Sequence, residues 1–210
     1  MKSRKLTEEI LDHLAHDDPK AIRSRRDLRR INCFMGNEPW ILENIPRSTS
    51  SITEIGAGDG MLMTRISRHF LKISLTARDL APRPSNLPQQ VEWIRGDIFK
   101  IEPSRCGGTL IANLILHHFN EEQLRLLAPW IRSFDTLIFS EPLRSHIPQF
   151  MGKLAYPFIS PVTRHDMRVS IEAGFRIGEL AELIGLTEKE FVIHESSTWR
   201  GSLRMVASRT

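Results

Sequence analysis

From residue 51 onward the chain alternates short apolar segments with helical patterns, and that alternation leaves few folds open. β-rich stretches fall at 51–55, 72–78, 91–95, 109–114, 135–140, 189–195 and 202–207. Between them, residues 60–70 place Leu62, Met63, Ile66 and Phe70 on one helical face, and residues 121–131 do the same with Leu124, Leu127, Ala128 and Ile131. Asn120 and Gln123 form a capping pair for the second of these. Two more helices are predicted at 163–173, with Thr163 as N-cap and Gly174 as stop, and at 179–184, ending at Gly185. Mostly apolar strands separated by helices belong to a parallel sheet covered on both faces. The last two strands have only six residues, 196–201, between them. That is too short for a parallel crossover, so this pair should be an antiparallel hairpin.

The first fifty residues read as helical. Residues 6–16 are short and polar, and Asp18-Pro19 can open a second helix in which Leu28, Ile31 and Met35 recur before Gly36 stops it. We therefore divide the 210 residues into an N-terminal helical lid over 1–50 and a main domain over 51–210, with an acceptor-side insertion at 142–187. At 40% hydrophobic and 26% charged, the composition excludes collagen, a disulfide scaffold and wholesale disorder. Cys33 and Cys106 have no zinc-type or redox spacing. The longest mostly apolar run, 110–116, is too short to span a bilayer. Glu8, Glu9 and Asp12 stand where a secretory signal needs an apolar stretch, so a cytoplasmic setting is expected. The net charge of +4 is concentrated in Lys20, Arg23, Arg25, Arg26, Arg29 and Arg30, against a single Asp27. Such a run is either a solvated helix face or a point of attraction for RNA, for anionic lipid at a membrane surface, or for the anionic part of a ligand.

The densest chemical signal follows the first strand, at Glu54-Ile-Gly56-Ala-Gly58-Asp59-Gly60. Alternating glycines let a backbone turn tightly and approach a ligand with no Cβ in the way. The spacing is GxGxG with Met61 next, so neither the GxGxxG dinucleotide fingerprint nor a P-loop is present. Asp79 ends the second strand, Asp97 and Ile98 follow the third, and Asn113 ends the fourth, just before His117 and His118. Carboxyl ends of strands are the rim where open α/β sheets bind ligands. Each acid alone could merely cap a turn.

Together these residues resemble the class I S-adenosylmethionine-dependent methyltransferases of the small-molecule type, over about 51–207 and most closely over 53–119. The resemblance implies a Rossmann-like seven-stranded, mainly parallel α/β sheet with an antiparallel C-terminal hairpin, helices on both faces and an N-terminal helical lid. It implies S-adenosyl-L-methionine as cofactor, with Glu54, Gly56, Gly58 and Gly60 under its methionine portion. Asp79 would bind ribose, Asp97 and Ile98 adenine, and Asn113 would lie beside the methionyl moiety. The second strand ends Ala77-Arg78-Asp79 rather than in the commoner acidic-x-acidic pattern, so Asp79 is assigned by position.

The acceptor is expected to be a small, hydrophobic or aromatic molecule, methylated on oxygen or carbon. Leu116-His117-His118 resembles the small-molecule members and lacks the proline and aromatic that clamp a flipped base. The glycine turn nevertheless also resembles that of ribosomal RNA adenine dimethylases, so RNA is the alternative acceptor, and a catalytically silent cofactor-binding protein the other alternative. Tyr156, Phe158 and their apolar neighbours in the insertion suit a hydrophobic pocket, and also suit plain packing. Phe34, Met35 and Trp40 either close over the site or dock the lid on the sheet. Candidate general bases are His117 and His118, then Glu141 at the end of strand five and His146. His13, His16, His69 and His194 read as surface residues. No carboxylate–histidine set has ligand spacing along the chain, so no metal is expected.

Overall fold

The computed structural model describes residues 3–15, 17–100 and 106–210; His16 lies outside them. Seven strands form one sheet: β1 (Ser51–Ile55), β2 (Ser74–Asp79), β3 (Val91–Arg95), β4 (Thr109–Asn113), β5 (Thr136–Pro142), β6 (Phe191–Ser197) and β7 (Ser202–Arg209). Their order is β3-β2-β1-β4-β5-β7-β6, and β7 alone runs against its neighbours β5 and β6. The expected sheet and its terminal hairpin are both present.

Alternation along the strands sorts the core into two layers, because successive side chains point to opposite faces. Leu110, Ala112, Leu137 and Phe139 join one apolar cluster, while Ile111 and Ile138 between them join the other. The first cluster is covered by α4 (Glu121–Ile131) and α7 (Glu179–Leu183). The second is covered by α3 (Met61–His69) and α2 (Asn37–Asn44), through Leu62, Met63, Ile66 and Ile41. β5 is buried along its whole length.

Local signals held in most places. Asn120 and Gln123 form the capping box of α4 in both directions. Gly36, at φ 67°, ends α1 (Pro19–Met35) in the left-handed region. That same glycine starts α2, a helix too short for its periodicity to stand out in the sequence. Two expectations are corrected. Among the described residues of 6–16 there is only a 3-10 turn, Ile10–His13. The helix α6 (Pro161–Ala173) is capped by Ser160, not Thr163: the Ser160 hydroxyl accepts the Thr163 N–H, and Pro161 occupies the first turn where no N–H is needed. Thr163 is instead fully buried and donates to Ser24.

The insertion also forms α5 (His146–Ala155), which packs against α6, and α6 in turn packs against α1. Asp27, the lone acid in the arginine run, is buried and accepts the Ser160 N–H at 2.8 Å. α1 thus turns its acid inward and leaves Arg23, Arg26, Arg29 and Arg30 in solvent. Among the described residues, no helix is long and apolar enough to cross a membrane.

Candidate active site

The glycine turn is built as its sequence demands. Gly56, Gly58 and Gly60 have φ of 64°, 55° and 71°, a region that costs other residues steric strain. The Gly56 N–H continues the strand pairing to the Arg78 carbonyl at 2.9 Å. The Gly58 N–H donates to Asp79 Oδ2 at 2.8 Å, so the turn and the tip of β2 are one unit. A Cβ on Gly56 would lie 2.5 Å from Ile115 Cγ1, whereas one on Gly58 would meet nothing within 4 Å. The turn is therefore packed beneath and open above.

All the residues assigned to the cofactor lie at the carboxyl tips of β1 to β4. Glu54 is buried in β1, and burial holds its carboxyl well above the usual range, with Glu38, Asp59 and Asp79 adding like charge. Its Oε2, like Asn113 Oδ1 on β4, has no hydrogen-bond partner among the described residues. Two partnerless oxygens near the ends of the adjacent strands β1 and β4, next to the glycine turn, fit a ligand bearing hydrogen-donating groups. Asp79 also accepts the Ala81 N–H, and a carboxylate so engaged keeps lone pairs for hydroxyls. Asp97 is exposed and accepts the Phe99 N–H at 3.0 Å, capping the 3-10 turn Ile98–Lys100, while Ile98 is half-buried. Both acids do cap turns, and both still face the rim.

Beyond Asn113 the backbone takes a strained step. Leu114 has φ 59°, the only non-glycine residue at positive φ among those described, and such outliers concentrate at functional sites. The 3-10 turn Leu116–His118 follows. Glu141, on β5, anchors it: Oε1 accepts the N–H groups of Ile115 and Leu116 at 3.1 and 2.9 Å, and Oε2 accepts the His117 N–H at 3.2 Å. Oε2 also lies 2.8 Å from His117 Nδ1. Burial pulls the His117 pKa down, but Glu141 and Glu9 outweigh it and lift it to about 9. His118 moves the other way, lowered by the protein around it and by the neighbouring His117 charge.

A pKa raised in the fold is stability present below the unfolded value and lost above the folded one. With EDTA present, unfolding free energy should therefore fall between pH 6.5 and about 9, by up to about 3 kcal/mol. Chemical denaturation across that range checks this, and a His117→Gln variant should show no such decline.

A cavity of about 660 Å³ opens beside this turn. Leu28, Ile31 and Met35 of α1, Met151 and Leu154 of α5 and Phe158 supply much of its apolar wall, and Leu114, His117 and His118 supply one end. Phe34 stands half-exposed at its edge against Trp199, while Trp40 packs on the sheet's core. Phe34 and Met35 thus line the cavity, and Trp40 does not. Glu141 is fully buried and does not line the cavity; His146 is exposed at the start of α5 and does not line it either. His13, His69 and His194 are on the surface as expected.

No residue pattern announces the N-terminal strap. Arg4 donates to the carbonyls of Ala173 and Phe119 at 2.8 and 2.9 Å, and Asp166, buried in α6, accepts the N–H groups of Ile10 and Leu11. This brings Glu9 Oε1 to 3.9 Å from His117 Nε2, within ion-pair range and beyond a hydrogen bond. Glu9, His117 and His118 form one cluster that spacing along the chain could not reveal.

No protein-family model matches the chain. Among solved structures, the plantazolicin methyltransferase BpumL, in complex with a triazolic desmethyl analogue and SAH, superposes with a TM-score of 0.72 over 92% of both chains at 14% identity. The chain has the class I methyltransferase fold. The pyocyanin biosynthetic protein PhzM shares it, with a TM-score of 0.65 and 20% identity over 97% of this chain and 62% of its own. So does human N-acetylserotonin methyltransferase in complex with SAM, at 0.56 and 13% over 94% and 61%. In sequence, tabersonine 16-O-methyltransferase of Catharanthus roseus is 29% identical over 91 residues. That match takes in 42% of this chain and spans about a quarter of the relative, 24% of its length. The methyltransferase fold places the glycine turn, Asp79, Asp97 and Asn113 along the rim formed by its first four strands.

Proposed function

We propose that the protein moves a methyl group from S-adenosylmethionine to a hydroxyl or acidic carbon of a small, largely apolar acceptor. One observation carries the reading: a glycine-and-carboxylate cradle and an apolar cavity meet at the Asn113-to-His118 turn, which borders both. When bound, S-adenosylmethionine supplies a methyl already activated by the positive charge on sulfur. Glu54, Asn113 and the turn at Gly56, Gly58 and Gly60 would hold its methionine portion, Asp79 its ribose, and Asp97 with Ile98 its adenine. The wall formed by α1, α5 and Phe158 excludes water and orients the acceptor, and such alignment is worth several kcal/mol of the barrier. His117 and His118 receive the reacting group at the cavity's polar end. Glu141 is a positioning residue that acts through His117. The solvent-facing Arg23, Arg26, Arg29 and Arg30 favour RNA as the second reading.

The test is methyl transfer from labelled cofactor to a panel of phenols and quinols, beside structured RNA. Transfer to a small acceptor supports the proposal; transfer confined to RNA, falling steeply with salt, supports the second reading. Ala155, in the cavity wall, gives the companion variant. Ala155→Trp should raise the acceptor KM at least about tenfold, the loss of roughly 1.4 kcal/mol of binding, and leave cofactor affinity alone. An unchanged acceptor KM would remove the cavity from the account.

A further inference from the structure

We infer that Glu9, His117 and His118 form a binding site for one divalent transition-metal ion, zinc foremost, at the inner end of the apolar cavity. Each offers a ligand atom, and these atoms lie within 4.8 Å of one another. A tetrahedral ion with bonds of about 2.0–2.1 Å asks for separations near 3.3 Å, which small side-chain rotations supply. Two imidazoles and a carboxylate are a donor set that zinc takes while keeping a position open.

The independent observation is His117 itself. The residue is 3% exposed, yet among the described residues Nε2 has no hydrogen-bond partner, and it faces the other two groups. A buried ring nitrogen without a partner is costly and calls for an occupant. The opposite nitrogen, Nδ1, is held by the fully buried Glu141 at 2.8 Å. That carboxylate–histidine pairing fixes the ring and its tautomer in metal sites, leaving Nε2 to the ion. Ser170 donates to Glu9 Oε1, so the carboxylate is held in the same way.

Position gives the ion a use. All three residues line both the large cavity and a smaller neighbouring one of about 330 Å³. The open coordination position can therefore take an oxygen of a molecule in the cavity. An acceptor hydroxyl held there would be fixed in place and made more acidic; this consequence, though not the metal binding, rests on the methyl-transfer reading. The N-terminal strap would then contribute a ligand to the site, and removing it would remove the metal.

The experiment uses the full chain, stripped with EDTA, desalted and titrated calorimetrically with zinc chloride alone. Expected is one ion per chain, with binding at least about tenfold weaker in each of Glu9→Gln and His118→Ala. Neither side chain is fully buried, and thermal melts are to check that both variants fold. Cobalt(II) in place of zinc should give visible absorption that both substitutions remove. No zinc binding, or binding that either variant leaves unchanged, overturns the inference and makes the cluster a histidine clamped between carboxylates. Titration of the same samples with S-adenosylhomocysteine separates the two claims: its failure in the wild type sinks the methyl-transfer reading and leaves the metal site standing.

Discussion

Gly58→Val should abolish binding of S-adenosylhomocysteine while the protein stays folded. Two effects act together. The residue has φ 55°, where a β-branched side chain is strained, and its missing Cβ faces open space above the turn. That space is where the proposed ligand lies, so a branched side chain takes its volume. Gly56→Ala loses affinity by another route. Its Cβ would press on Ile115 at 2.5 Å and shift the turn that carries His117. Calorimetry should show no saturable heat for Gly58→Val, with a Tm within a few degrees of wild type. For Gly56→Ala, affinity and Tm should fall together. Gly58→Val retaining wild-type affinity would move the cofactor away from this turn.

Glu141→Ala should lower stability by about 3–5 kcal/mol, the cost of breaking a buried charged pair by deleting one partner. The carboxylate is fully buried and satisfies three backbone N–H groups and one imidazole. Nothing else among the described contacts replaces it. At about 2–4 °C per kcal/mol for a domain of this size, Tm should drop by roughly 10 °C. Glu141→Gln keeps an acceptor oxygen and should lose less. If alanine cost under about 1 kcal/mol, the turn would not depend on this anchor.

How much of this was legible follows from where each signal resides. The strands were readable because β4 and β5 are mostly apolar and β1 to β4 end at or just before a glycine, an acid or asparagine. The rim residues were readable because Glu54, the three glycines, Asp79, Asp97 and Asn113 each follow a strand in chain order, and the sheet brings those tips together. Cap identity was harder: Ser160 and Thr163 both suit an N-cap, and only the buried partner Asp27 decides between them. Glu141 is legible as a strand end, but its work on the 116–118 turn needs the register of β4 beside β5. Glu9 was illegible. It stands 108 positions from His117, in a polar stretch with no period, and is placed by Asp166 and Arg4 through bonds to backbone that leave no trace in residue pattern. Long-range side-chain-to-backbone contacts of this kind are what sequence reading misses.

The central claim is that the rim of β1 to β4 binds S-adenosylmethionine. Calorimetric titration of the wild type and Asp79→Ala with S-adenosylhomocysteine tests it most directly. Asp79 joins the glycine turn to β2 through the Gly58 N–H and presents its carboxylate to the rim. The account predicts one saturable site in the wild type, weakened by about 1–3 kcal/mol in the variant through lost bonds to the ribose hydroxyls. A wild type that binds nothing, or an Asp79→Ala dissociation constant equal to wild type, would contradict it.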